Sequence, residues 1–149
     1  MSTWIVLADA SRVRIFETDN EGAMPREVED IANPEGRAPE RDLGTGPAGS
    51  YSGQGGAHNT AEPRTTRHEH VVEEFARDVA ARLDEACRQL RFERLWIVAA
   101  PHFLGVLRPC LSPQVESVIE REIDRDVSGF DAGALQVYFR KQLGIGVRA

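Results

Sequence analysis

The chain alternates short, wholly apolar runs with longer amphipathic ones. Thr3 to Ala8 (TWIVLA) and Leu95 to Ala100 (LWIVAA) are continuous apolar stretches, the pattern of strands covered on both faces. Between them Val72, Phe75, Ala76, Val79, Ala80, Leu83, Ala86, Cys87 and Leu90 recur at helical spacing. A long helix joining two such strands is a right-handed crossover with the strands parallel. Its start is placed at Thr66, where Thr66-x-x-Glu69 forms a capping box. Its polar face carries Glu73/Arg77, Asp78/Arg82 and Asp84/Arg88 four residues apart, acid first, the favourable order for ion pairs.

The shorter elements follow the same logic. Asp9-Ala10-Ser11 is a turn, after which Arg12 to Thr18 alternates Val13 and Ile15 against Arg14 and Phe16, so the first two strands form an antiparallel hairpin. Arg26 to Ala32 is a weaker third strand whose polarity suits an edge. Apolar residues at Phe103, Leu104, Val106, Leu107 and Cys110 give a short helix over His102 to Leu111. Ser112-Pro113 starts another turn of helix, with serine as cap and proline first inside. Val118 to Asp124 sets Ile119, Arg121 and Ile123 against Val118, Glu120 and Glu122, an edge strand. Asp131 caps a last helix that turns Leu135, Tyr138, Phe139 and Leu143 inward and ends at Gly144. The predicted fold is α/β, with a mixed five-stranded sheet in the order 3-2-1-4-5 and helices on both faces. That is the ribonuclease-H-like arrangement.

One stretch fits no period. From Pro34 to about residue 66 the chain reads as a long loop, and its segment GTGPAGSYSGQGGAHN (44–59) holds Gly44, Gly46, Gly49, Gly53, Gly55 and Gly56, six of the thirteen glycines. A loop of this length inside a compact domain is usually functional or disordered.

Composition narrows the function classes. A chain of 149 residues is read as a single domain, 1–149, long enough to bury roughly two-thirds of its unfolded surface. Its formal net charge is −6, with Lys141 the only lysine, so it is a poor general binder of nucleic acid and DNA is not an expected partner. Cys87 and Cys110 sit in apolar helical patterns and read as buried free thiols of a reducing compartment. The N-terminus has neither a basic region nor an apolar stretch of signal-peptide length, and no run reaches membrane-spanning length. A cytoplasmic protein without a membrane contact is expected. The sequence sets no oligomeric state.

Four stretches together carry a family resemblance: WIVLADASRVRIFE at the start, NPEGR after strand three, the glycine-rich loop before HEHVVEEFARDVAARL, and LWIVAAPHFLGVLR. The chain resembles the bacterial host attachment protein family, also described as required for attachment to host cells. That family is similar to the central domain of eukaryotic and archaeal class I release factors and of Pelota. In release factors the loop between strand three and the first helix carries a Gly-Gly-Gln motif, whose glutamine helps water attack peptidyl-tRNA on the ribosome. The matching loop here reads Ser52-Gly53-Gln54-Gly55-Gly56-Ala57-His58, so the order is Gly-Gln-Gly-Gly. The glycines of the release-factor motif set the backbone that presents the glutamine, and the changed order separates the position from the chemistry.

The candidate site is therefore a partner-binding loop of Tyr51, Gly53, Gln54, Gly55, Gly56 and His58, in which Gln54 is the weak catalytic candidate and Tyr51 either stacks on a base or packs back on the domain. Arg37, Arg41, Arg64 and Arg67 are offset in number by Glu35, Glu40, Asp42 and Glu62. His58, His68 and His70 read as solvated residues of the loop and first helical turn; no metal and no cofactor is expected. A nuclease would need converging carboxylates. Asp9 ends strand one and Glu73 or Glu74 stands on the first helix, but Ala99-Ala100-Pro101-His102 supplies no acid at the end of strand four, and Asp9 reads as a turn residue. Trp4, Trp96, Phe103 and Tyr138 read as core. The leading expectation is a non-enzymatic, release-factor-like module that presents its Gly/Gln loop to a ribosome, RNA or other partner. An indirect role in attachment to host cells is the alternative, and a metal-dependent nuclease or hydrolase is disfavoured.

Overall fold

The computed structural model describes residues 2–20, 22–37 and 55–146. Strands β1 (Thr3–Asp9), β2 (Arg12–Thr18) and β3 (Arg26–Ala32) come first, followed by a 3-10 turn at Pro34–Gly36. Helix α1 runs from Gly55 to Arg88. Then come β4 (Arg94–Ala99), α2 (Pro101–Leu107) with a 3-10 extension at Arg108–Cys110, α3 (Pro113–Ser117), β5 (Ile119–Asp124), and α4 (Ala132–Tyr138), which continues as a π-turn through Phe139–Leu143. The sheet order is β3-β2-β1-β4-β5, with β1/β2 and β2/β3 antiparallel and β1/β4 and β4/β5 parallel, as the hydrophobic pattern predicts.

Alternation along the two central strands divides the core. Trp4, Val6, Ala8, Leu95, Ile97 and Ala99 face α1, α2 and α3; Ile5, Leu7, Trp96 and Val98 face α4 and its π-turn. The fully apolar runs are thus explained, because β1 and β4 have no solvent face. Trp4, Trp96, Phe103 and Tyr138 are all buried. The predicted caps also form. Ser112 Oγ accepts from the Val115 N–H, Asp131 Oδ1 accepts from the Ala134 N–H, and Gly144 ends the last helix at φ +70°. The thiols of Cys87 and Cys110 are free and only half-buried, beside the α1-side core.

Five expectations change. Leu90, placed last on the stripe of the long helix, lies beyond the end of α1 and is exposed, because the chain turns left-handed there. The helix begins at Gly55, so Thr66 and Glu69 lie inside α1 and do not cap it, and the loop is shorter than 34–66 by the helical stretch. Once a helix has nucleated, most further residues add a hydrogen bond at little cost, and the helix runs back past Pro63, which has no N–H to donate, to Gly55. Gly36 closes a 3-10 turn and is not loop either. Arg82 does not pair with Asp78: its Nη1 reaches Glu29 Oε2 of β3 at 3.0 Å, a tertiary contact that local spacing cannot show. Finally, β5 does not alternate regularly. The register with β4 shifts between Leu95↔Ile119 and Trp96↔Arg121, leaving Glu120 as an extra residue. Ile119 consequently packs on the α1 side while Ile123 packs on the α4 side.

Candidate functional site

The last described residues before the glycine-rich segment, Pro34 to Arg37, lie at the carboxyl end of β1, and that corner is built from short-range contacts. Asp9↔Arg12 is the last pair of the β1–β2 hairpin. The Asp9 carboxylate turns back, and its Oδ1 accepts from the Ser11 N–H at 2.8 Å and from the Ser11 hydroxyl at 3.0 Å. This is an Asx turn, the structural role the sequence assigns to this residue. Next to it, Arg12 holds Asp30 of β3 in a two-pronged bond, Nε to Oδ1 at 3.0 Å and Nη2 to Oδ2 at 2.8 Å. The bond keeps the Asp30 carboxyl below the usual carboxylate range.

The 3-10 turn after β3 is fastened onto this hairpin. Asn33 donates its backbone N–H to Ser11 O at 2.8 Å and its side-chain amide to Ala10 O at 3.0 Å. Gly36 then donates to Asn33 O at 2.8 Å, and Arg37 to Pro34 O at 3.3 Å. Gly36 sits so close that a Cβ there would lie 1.9 Å from Ala10 O, which admits no side chain at all. From the other side α1 closes on the same turn, with His68 Nε2 3.2 Å from Gly36 O. At the start of α2, the Ala100 N–H donates to Ala8 O at 3.0 Å, completing the floor.

The predicted binding residues divide on this frame. Tyr51, Gly53 and Gln54 lie outside the described residues. Gly55, Gly56 and His58 belong to the first turn of α1 and not to a loop. Glu73 and Glu74 stand on the solvent side of α1, paired with Arg77 at 3.9 Å and with His70 at 3.2 Å. Asp9 is engaged by Ser11. Among the described residues, no group of three or more His, Cys, Asp or Glu side chains is placed to hold a metal ion. Asn33, Gly36 and His68 are the residues that reading the sequence undervalued. The NPEG turn was legible as a strand ending, but its attachment to Ala10 and Ser11 is tertiary. His68, expected to be solvated, is half-buried. Its signal was its position four residues before Val72, on the buried stripe of α1.

Two open grooves lie elsewhere. One, of about 460 Å³, runs between α1 and the Pro109–Ser112 bend, over Ala80, Ala81 and Asp84. The other, of about 410 Å³, lies beside β5 between Arg108 and Glu116. The first contains a bond from Ser112 Oγ to Asp84 Oδ1 at 2.8 Å, so its polar groups are engaged within the protein. No described helix is long and apolar enough to cross a membrane.

The fold and this corner define a mixed-sheet α/β protein with a hairpin on one side, a parallel half on the other, and a glycine-rich segment between β3 and α1. A family model described as "Protein required for attachment to host cells" matches residues 4–138, and the chain belongs to that host attachment family. No curated protein matches the sequence. Among solved structures it is similar to the archaeal translation termination factor aRF1, with 11% identity and a TM-score of 0.47 over 86% of this chain. The match spans 32% of the termination factor.

Proposed function

We propose that this host attachment family protein is a non-enzymatic presenting module, acting in the cytoplasm, that offers its Gly53-Gln54-Gly55-Gly56 stretch to a ribosome or another RNA partner. The observation that carries this reading is where the stretch is inserted. It lies between β3 and α1 of a 3-2-1-4-5 sheet, and the chain leaves for it from a turn riveted to the β1–β2 hairpin. A rigid mount beside a glycine-rich stretch suits presentation better than chemistry, because glycines let a backbone approach a partner closely. The carboxylate nearest the corner, Asp9, uses its Oδ1 in its own turn, and among the described residues no group of three or more His, Cys, Asp or Glu is placed to hold the metal ions a nuclease would need.

Co-sedimentation with ribosomes tests the proposal. The intact protein is expected in the ribosomal pellet at low salt. Deleting residues 44–54 or replacing Gln54 and Gly55 together with alanine is expected to abolish pelleting while the thermal transition is unchanged. Pelleting that is absent for the intact chain, or indifferent to the deletion, refutes it. The family description supports a second reading, an indirect role in attachment of a bacterium to host cells. That reading predicts reduced adhesion of a strain lacking the protein, with adhesion restored by the intact chain.

A further inference from the structure

We infer that His68 is a positioning residue that holds the turn of α1 ahead of Val72 against the Pro34–Gly36 turn, and so fixes where the helix meets that corner. Helix α1 has 34 residues, and its buried apolar stripe begins only at Val72 among the side chains described. The preceding 17 residues, Gly55 to Val71, correspond to about 25 Å of helix. His68 lies one turn ahead of Val72 on the same face, so it is where the buried stripe gives way to polar contact. Its partner is unusually well fixed. Gly36 O belongs to a turn whose backbone touches Ala10, and Asn33 ties that turn to Ala10 and Ser11 at 3.0 and 2.8 Å.

A carbonyl oxygen only accepts, so the bond requires the tautomer with its proton on the Nε2 that faces Gly36 O at 3.2 Å. The chain separation across this bond is 32 residues, and it joins the turn before the glycine-rich segment to the helix after it. The inference does not depend on ribosome binding. It holds whatever partner the family uses.

Amide hydrogen exchange on the full chain tests it. Losing a neutral hydrogen bond of ordinary strength corresponds to roughly a fivefold change in a local opening equilibrium. In His68→Ala, amides 66–71 are expected to exchange about fivefold faster while the amides of β1 and β4 keep their wild-type rates. His68→Gln places an amide N–H at similar reach and is expected to restore protection; this rescue separates a positioning bond from bulk filling. Unchanged exchange at 66–71 in His68→Ala overturns the inference. So does a uniform acceleration across the sheet, or a glutamine variant that behaves like alanine.

Discussion

Arg14 of β2 donates from Nη1 to the Phe130 carbonyl at 2.8 Å, across 116 residues of sequence. Its Nε and Nη2 grip the two carboxylate oxygens of Glu27 at 2.9 and 3.1 Å, and its guanidinium lies 5.4 Å from the Phe16 ring centroid. One buried cation thus joins the edge strand, the hairpin and the approach to α4. Replacing it with methionine leaves Glu27 and the carbonyl unpaired, so a loss of about 2–4 kcal/mol is expected in urea titration. Lysine lacks the planar fork and recovers less than half of the loss. A full recovery by lysine would show that charge alone matters.

Gly36 gives a steric prediction. Its absent Cβ would overlap Ala10 O at 1.9 Å, and the obstacle is backbone, which cannot rotate away. Gly36→Ala is expected to destabilise by about 2 kcal/mol through displacement of the turn. At this chain length that lowers the thermal midpoint by roughly 4–8 °C. Gly105→Ala, where a Cβ meets nothing within 4 Å, is the control; it removes an interior helix glycine and is expected to stabilise slightly.

The end of α1 offers a gain. Leu90 has φ +58° and is 83% exposed, while the Arg91 N–H reaches back to Ala86 O at 2.9 Å, the Schellman pattern with leucine where glycine is usual. The left-handed backbone costs a non-glycine residue about 1–2 kcal/mol, and glycine loses part of that advantage through unfolded-chain entropy. Leu90→Gly should therefore stabilise by about 0.5–1 kcal/mol, read as a rise in the denaturant midpoint at unchanged slope.

Acid stability should depend on Glu17. Its carboxylate accepts from Arg26 at 2.7 Å and from the Trp4 indole at 3.2 Å, and the Arg26 bond, more than the Trp4 bond, holds it below the ordinary 4.5. A depressed folded-state value means stability that is fully present above pH 4.5 and is lost as pH falls through the lower folded value. Chemical denaturation between pH 7 and pH 3 should show this loss. Glu17→Gln should flatten that part of the curve, and an unaltered slope in the variant would count against the assignment.

The features legible in the sequence are those with a local cause. Continuous apolar runs located β1 and β4, alternation located β2 and β5, a weaker polar run located β3, and side-chain caps at Ser112 and Asp131 located two helix starts, because a cap is satisfied within three residues. What escaped depends on distant partners. Arg82 had an acid four residues away and chose Glu29 of β3, and His68 had neighbouring charges yet bonds Gly36. The start of α1 escaped for another reason. Gly55, Gly56 and Pro63 are poor helix residues, and intrinsic preference is a weak guide where an extended helix follows. The supporting corner at Asn33 and Gly36 was readable as a turn. Its attachment to Ala10 and Ser11 is tertiary and needed the hairpin beside it.

The irregular step in β5 has a counterpart on the opposite margin of the sheet. There Ile15 pairs with Glu29 and Phe16 with Glu27, so Val28 is the extra residue of β3. Both outermost strands therefore carry the surplus residue themselves, and their inner neighbours do not. A strand from another molecule needs an unbroken row of amides and carbonyls to align against. Here it meets one interrupted near the middle of β3 and near the start of β5. The β5 kink that divides Ile119 and Ile123 between the two cores and the β3 kink at Val28 thus both work against edge-to-edge polymerisation.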